Sequence, residues 1–321
     1  MMAQTSMTPQ EMEKFVKEKV SIATLLFLFN YKEFGLGSRQ FMLNEHGKVL
    51  RALLNREDHF ASYPGDTITF LESRFYLETL ERLCQLIEDF CVITEGVADD
   101  PRRLPNVLIN HGSPQNFLKN CDRPLLAKSL KLPSTDDLPI DGREKELLEV
   151  VREKNFQVLD KFVALLKKFL DLNWLSYIKY KHGNSLIYGL SHDDINGERL
   201  LSIPVVYNSE DPSQTKAIIV NARIHGLWVQ IFNTLCMLTM DIVQRNIDYA
   251  ETGGSPIPEQ ILYFKADEDT RQAFRDIVTK CTLGVTRTSI AVRIETKLPS
   301  DVLNRHLELF QLADLGSFNE S

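Results

Sequence analysis

The longest amphipathic pattern in the chain covers residues 141–194, and the predicted fold is organised around it. Apolar residues recur there at helical spacing, and charged residues mark the opposite face. The apolar set is Leu148, Val151, Val158, Phe162, Leu165 and Phe169, and the charged set is Glu149, Lys154, Lys161 and Lys168. The pattern predicts a long helix that ends near residue 183 and continues into a β-hairpin.

A second wide apolar face lies in residues 221–249 and predicts another core helix. Its inward residues are Leu227, Trp228, Ile231, Leu235, Leu238 and Ile242. Polar residues such as Gln230 and Asn233 interrupt this run, whereas a membrane-spanning helix needs about 20 mostly apolar residues. We therefore expect no membrane segment, and we expect helices 147–178 and 222–249 to pack on each other as the core.

The first hundred residues predict three helices. The first begins with Thr8 as its N-cap and Glu11 in its first turn, and it ends at Gly35-Leu36-Gly37. The second covers residues 38–59. The third covers residues 68–97 and has the most regular helical period of the three.

Residues 99–140 are rich in proline and predict an irregular connection with short helices at 114–121 and 124–130. The hairpin is predicted to pair strands at 185–189 and 200–207 through a turn at 193–197, because Asn196-Gly197 is a strong hairpin signal. Near the C-terminus, strands are predicted at 260–264 and 289–296, and helices at 267–280 and 299–312.

These elements predict a mainly α (α+β) fold, a helical bundle with a β-hairpin and a small C-terminal α/β region. Four regions follow from the changes in pattern: an N-terminal helical region at 1–98, the proline-rich connection at 99–140, a central helix pair with the hairpin at 141–252, and the α/β region at 253–321.

Composition indicates the class of protein and the cellular compartment to expect. The 321 residues are 43% hydrophobic and 25% charged, as in folded globular proteins. The net charge of −7 argues against general nucleic-acid binding, because a polyanion would be repelled. Five cysteines without C-x-x-C spacing argue against a disulfide scaffold and favour a reducing, cytoplasmic location.

Several polar clusters are candidate sites. Tyr180, Lys181 and His182 form a potential binding cluster, although a basic residue and a histidine before Gly183 also suit an ordinary helix end. His182, His192, Asp193 and Asp194 are weak candidates for metal ligands, because they lack a rigid ligand spacing and suit an exposed turn equally well. No nucleotide, dinucleotide or serine-hydrolase motif occurs, so no cofactor is expected.

Arg223, His225 and Trp228 form another candidate binding site at the start of the apolar helix at 221–249. They suit the lining of a pocket between the central helices. The alternative is a buried histidine with an ordinary hydrogen bond and an arginine at the surface.

The Tyr180-Lys181-His182 ending, followed by an extended segment, resembles uncharacterised prokaryotic helical families of the HEPN-like type, over about residues 147–188. HEPN-type domains are helical modules of defence and toxin systems, and their ribonuclease motif is an arginine and a histidine with four to six residues between them. Arg39 and His46, with six residues between them, match that spacing outside the resembling stretch. The resemblance thus implies Arg39 and His46 as catalytic candidates in a dimeric ribonuclease.

Three functions remain open at this point. We expect first a non-enzymatic interaction or regulatory protein, in a prokaryotic stress or defence system, that binds a protein partner or forms a homo-oligomer. The second is the HEPN-like ribonuclease. The third is a small-ligand-binding protein, which requires an apolar pocket with few polar groups.

Overall fold

The computed structural model describes residues 8, 10–11, 14, 20, 22–110, 112–181, 191–195, 198–206, 215–254 and 268–282. In this part of the chain the fold is mainly helical with a small antiparallel sheet, which confirms the expected fold class. The helices are α1 (Ile22–Asn30), α2 (Gly37–Leu54), α3 (Gly65–Ala98), α4 (Leu104–Asn110), α5 (Pro114–Asn120), α6 (Arg123–Ser129), α7 (Gly142–Lys181), α8 (Ala222–Glu251) and α9 (Glu268–Thr282). The strands are β1 (Ser191–Ile195), β2 (Glu198–Val206) and β3 (Thr215–Val220).

Helix α3 is the centre of the fold. From Leu83 to Ala98 its buried residues lie on almost every side of the helix, and a helix that is apolar all round must be enclosed by others. Helices α2, α4, α5, α6, α7 and α8 all pack against it. The largest of these contacts is with α8, whose apolar face includes Phe232 and Leu235.

Gly96 allows the chain to pass closely over the end of α3. A Cβ atom at this position would lie 2.5 Å from Leu104 Cδ1 and 3.2 Å from Leu104 Cα. Leu104, the first residue of α4, is completely buried there. A residue with a side chain at position 96 would therefore push α4 away from α3.

The predicted pairing of helices 147–178 and 222–249 is wrong. Each packs against α3, and within the described residues α7 and α8 meet through Phe169 and Trp228, not along their lengths. The two rings are in edge-to-face contact, with their centroids 6.2 Å apart. The reason is that α3 is apolar around its circumference. It lies where the two long helices were expected to pack against each other.

Helix α7 confirms the predicted long helix, but part of its expected inward face is exposed. Val158 is 41% exposed and Leu165 is 36% exposed, whereas Leu159 and Leu166 are buried. The helix carries two apolar stripes. Residues seven apart drift by about 20° per heptad, so the stripe of 158 and 165 turns away from the core.

The predicted end of the first helix at Gly35-Leu36-Gly37 is also wrong. A π-helical segment, Tyr31–Leu36, carries the chain from α1 directly into α2. Gly35 faces the Tyr31 ring, since an added Cβ would lie 2.9 Å from Tyr31 Cδ2. Gly35 therefore provides a close approach and not a stop, and Gly37 has ordinary helical backbone angles. The second helix ends at Leu54, before the predicted residue 59.

Thr8 and Glu11 form the reciprocal hydrogen bonds of a capping box, which confirms the predicted N-cap. The Thr8 backbone N–H donates to Glu11 Oε2 at 2.7 Å, and the Glu11 backbone N–H donates to Thr8 Oγ1 at 3.3 Å. Asn221 caps α8 in a related way, because its side-chain oxygen accepts a 2.8 Å bond from the Ile224 backbone N–H.

The sheet has the order β1-β2-β3, with both pairs antiparallel. Ile195 pairs with Glu198, so Asp193 and Asp194 lie in β1 and not in the predicted turn. Residues 196–197, between the two strands, lie outside the described residues. The predicted strand at 185–189 lies outside the described residues, and β3 is a strand that the sequence pattern did not predict.

The proline-rich connection contains the two predicted short helices, α5 and α6, and also α4. After α6, Lys131 has a positive φ of 52° and donates from Nζ to the carbonyl of Val97 at 2.7 Å. Burial lowers the pKa of Lys131 to about 8. This lysine therefore satisfies a carbonyl in the last turn of α3 that has no partner within the helix.

One hydrophobic core includes residues from Leu28 to Ile247, and it draws on the predicted regions 1–98, 99–140 and 141–252. A smaller cluster joins α7 to α9 through Leu148 and Ile277. Helix α9 confirms the predicted helix at 267–280. The strands predicted at 260–264 and 289–296 and the helix at 299–312 lie outside the described residues.

Among the described residues, α8 is the one helix that is long and apolar enough to cross a membrane by length and composition. Half of its apolar window is buried inside the protein, as in the core helix of a folded domain.

Two adjacent leucines of α7 test the assignment of its buried face. Leu166→Ala should lower the free energy of unfolding by about 2–5 kcal/mol, because it opens a cavity against α3. Leu165→Ala should cost less than about 1 kcal/mol, because that side chain already contacts solvent. Urea denaturation of both variants measures the difference, and equal costs would contradict the orientation of α7.

Candidate functional site

Arg39 and His46 lie two turns apart on α2, and both side chains face α3. Arg39 forms an ion pair with Asp89, which also accepts a 2.8 Å hydrogen bond from the Tyr31 hydroxyl. His46 Nδ1 lies 3.1 Å from Glu78 Oε2. Burial, with the nearby Asp89 carboxylate, raises the pKa of Tyr31 well above its usual value.

These contacts hold α2 and the π-helical segment against α3. A nuclease site would present the arginine and the histidine to a phosphate, whereas here Arg39 pairs with the Asp89 carboxylate, and His46 Nδ1 lies buried beside Glu78 without a hydrogen bond among the described residues. The arrangement therefore favours a bracing role for Arg39 and His46.

The Tyr180-Lys181-His182 cluster lies at the end of α7, where Lys181 is the last helical residue. Lys181 Nζ lies 3.7 Å from Glu88 Oε2 and 5.4 Å from the centre of the Tyr177 ring. The Tyr177 hydroxyl donates to the same carboxylate oxygen at 3.0 Å. Lys181 thus fastens the end of α7 to α3. His182 and the side chain of Tyr180 lie outside the described part of the structure.

The weak metal candidates His192, Asp193 and Asp194 are in β1. Their side chains, like His182, lie outside the described part. Among the residues that are described, no group of three histidine, cysteine, aspartate or glutamate side chains could hold a metal ion.

The residues predicted around the start of α8 separate into three environments. Arg223 is exposed, His225 turns towards α3, and Trp228 packs against Phe169 of α7. The sequence suggested that these three residues line one pocket, but in the structure they do not.

His225 joins a polar cluster at the α3–α8 interface. Its Nε2 lies 3.0 Å from Thr79 Oγ1, and its ring lies 4.9 Å from that of Tyr76. The Tyr76 hydroxyl donates to Glu72 Oε1 at 2.8 Å. Burial lowers the pKa of His225 to about 4, so the ring is neutral near pH 7.

An apolar groove lies between α7, β3 and α8, and its volume is about 490 Å³. Because Asn221 connects β3 directly to α8, the outward side of β3 and the first turns of α8 line one side of the groove. Helix α7 forms the other side, from Leu165 to Ser176. We refer to this feature as the α7–α8 groove, and the apolar side chains that line it include Leu165, Phe169, Leu172, Ile219, Leu227, Trp228 and Ile231.

The apolar side chains at the mouth of the α7–α8 groove are exposed to solvent. Leu172 is 72% exposed, Ile219 is 56% exposed and Leu227 is 48% exposed, whereas Trp228 closes the base and is buried. In β3, Ile218 and Val220 face the core, and Ala217 and Ile219 face outward. A strand face in contact with water is normally polar, so two apolar outward residues make this face a candidate binding surface.

Few polar side chains line the α7–α8 groove, namely Lys168, Asn173 and Ser176. Asn173 Nδ2 already donates to the carbonyl of Phe169 at 2.9 Å. Among the described residues that line the groove, apolar side chains outnumber polar ones, which is the usual composition of a ligand-binding surface.

A second exposed apolar surface lies on α2 and the π-helical segment before it. Its members share one face of the helix and point away from α3. They are Phe34, Phe41, Met42 and Val49. In the part of the chain that the structure describes, this α2 stripe is one helical face without a second wall, so it is not concave as the groove is.

The neutral state of His225 makes stability depend on pH. The folded-state pKa of about 4 lies below the unfolded value of about 6.5. The contribution of the neutral His225 to stability is therefore fully present above pH 6.5. It is lost as the pH falls from 6.5 towards 4, because in that range only the unfolded chain takes up the proton. Between pH 7 and 4.5 the parent should lose on the order of 2 kcal/mol more than the His225→Gln variant. Urea denaturation at both pH values measures this difference, and equal losses would contradict a buried, neutral ring.

Comparison with known proteins found no relative: no protein-family model, no curated protein and no solved structure matches this chain. The candidate functional features of this protein are therefore identified from its geometry alone. They are the α7–α8 groove, the His225 cluster, and the ion pairs of Arg39 and Lys181.

Proposed function

We propose that this protein is a non-enzymatic binding protein whose α7–α8 groove accepts apolar side chains of a protein partner. The observation that carries the proposal is the exposure of Leu172, Ile219 and Leu227 around a concave surface with a buried Trp228 at its base. Exposed apolar side chains are ordinary when they are isolated, but a concave group of them marks a site of interaction.

The other polar sites support a binding role over catalysis. Arg39 is paired with Asp89, His46 lies beside Glu78, and Lys181 lies beside Glu88 and Tyr177. Each of these side chains lies against a carboxylate of α3. They stabilise the scaffold on which the groove is built.

Burying three leucine or isoleucine side chains in such a groove would provide much of the free energy of binding. Each fully buried side chain of this type contributes about 1.5–3 kcal/mol relative to exposure. Ordering of the partner offsets part of this gain. The resulting affinity suits a regulated and reversible complex.

A neutral apolar dye tests whether the α7–α8 groove accepts apolar groups. Nile red should bind the full-length protein with increased fluorescence, and Leu172→Asp combined with Ile219→Asp should weaken this binding about tenfold or more, because the charges bring water into the groove. The matched control is Phe41→Asp, which alters the α2 stripe and should leave most of the signal.

Two results would contradict the proposed function. Dye binding that is lost in Phe41→Asp but kept in the groove variant would move the site to α2. A dimer in light scattering that Leu172→Asp converts to a monomer would show that a second copy occupies the groove instead of a separate protein.

The net charge and the occupied Arg39 also predict that the protein does not bind nucleic acid in general. Gel-shift measurements at physiological salt should show no complex with random RNA or duplex DNA up to about 10 μM protein, within the usual range for non-specific binders. A sub-micromolar complex that weakens steeply with salt would show that a local basic surface outweighs the net charge of −7.

A further inference from the structure

The outer side of α7 alternates lysine and leucine along the α7–α8 groove. Lys161, Leu165, Lys168 and Leu172 occur at intervals of four, three and four residues, so they lie on one face of the helix. Lys168 itself lines the groove, and Lys161 lies two turns before it on the same face. The apolar groove is therefore edged by positive charge.

These two lysines have no partner within the described residues. No carboxylate there forms an ion pair with Lys161 or Lys168, although the chain has more acidic than basic residues. The nearby acidic residues Glu153 and Asp160 both pair with Arg123, each at 2.7 Å. An occupant of the groove would therefore meet apolar side chains and two available ammonium groups.

The dimensions of the groove fit a short helix. Residues 165–176 of α7 form its long wall, and at 1.5 Å per residue this wall extends for about 16 Å, or three helical turns. The walls consist of side chains from two helices and the outward side of β3. Walls of side chains suit a helix, which satisfies its own backbone hydrogen bonds. An extended peptide would instead pair along the edge of β3 that the described sheet leaves open.

A second copy of the chain fits this surface poorly. In a two-fold symmetric dimer the same patch meets itself, so both copies would bring Lys161 and Lys168 into one interface. Like charges brought together at an interface are unfavourable. The complementary occupant carries carboxylates where this chain carries lysines.

We propose that the α7–α8 groove binds an acidic amphipathic helix of a partner protein. This inference rests on the proposed function and adds the chemistry of the partner. Apolar side chains at positions i, i+4 and i+7 of that helix enter the groove between Leu172, Ile219 and Trp228. Its flanking aspartate or glutamate residues face Lys161 and Lys168, and they determine which amphipathic helices bind.

Three labelled peptides and fluorescence anisotropy test the proposal with the full-length protein. One designed 18-residue helix has leucines at i, i+4, i+7 and i+11 flanked by glutamates, the second has lysines in place of the glutamates, and the third is the glutamate peptide with a central proline. The glutamate helix should bind about tenfold or more tightly than either of the others, and added salt should weaken it.

Two adjacent lysines of α7 provide a matched pair of variants. Lys168→Glu should weaken the glutamate helix about tenfold and strengthen the lysine helix. Lys167→Glu makes the same change of charge one residue earlier, at a position about 100° around the helix, and should have a much smaller effect. Nile red binding should be unchanged in Lys167→Glu, and in Lys168→Glu it should fall far less than in Leu172→Asp combined with Ile219→Asp, because position 168 already carries a charge at the groove.

Each other outcome overturns the inference in a distinct way. Equal binding of the glutamate and lysine helices, or equal effects of the two variants, would remove the charge requirement, and equal binding of the proline peptide would remove the helix. Binding to anionic phosphatidylserine vesicles without binding to the glutamate helix would identify a membrane surface. If no peptide binds but Nile red binding still depends on Leu172 and Ile219, only this inference is overturned. If Nile red binding does not depend on these residues, the proposed function is overturned as well.

Discussion

Burial of α3 on nearly every side is the constraint on which the rest of the structure depends. Its residues from Leu83 to Ala98 leave no wide polar face, so the helix cannot lie at a surface. Six other helices cover it, and polar side chains fasten several of them in place. Asp89 of α3 contacts the π-helical segment and α2, and Glu88 contacts the end of α7. Thr79 of α3 contacts His225 of α8.

The α7–α8 groove is a result of this arrangement. Because α3 takes up the inner faces of α7 and α8, the two long helices touch through Phe169 and Trp228 and leave a space outside that contact. The sheet then adds the outward side of β3 to the same space. A direct pairing of α7 and α8 would have filled this space. The packing of both helices against α3, which the sequence pattern did not predict, therefore creates the candidate site.

The long helices were predictable because periodicity over 30 or 40 residues is a strong signal, and α7 and α8 were correctly located to within a few residues. Their partners were not, since an apolar face does not specify what covers it. The helix stop at Gly35 failed because glycine also permits a close contact with Tyr31. The sequence predicted Trp228 as a binding residue and a pocket between the central helices, but it did not predict that Leu172 and Ile219 line the groove. Both have the sequence signature of core residues, and only packing leaves them exposed.

The central position of α3 also has a consequence for synthesis on the ribosome. Its main partner, α8, begins at Ala222, more than a hundred residues after α3 ends at Ala98. At about 5–20 residues per second, α3 waits for several seconds before α8 is made. During that time α3, whose buried residues lie on almost every side of the helix, can be covered only by segments that are made before α8. The nascent chain therefore depends on α2, α4, α5 and α6 as a temporary cover, and this makes the proline-rich segment between α3 and α7 important for avoiding aggregation as well as for the finished fold.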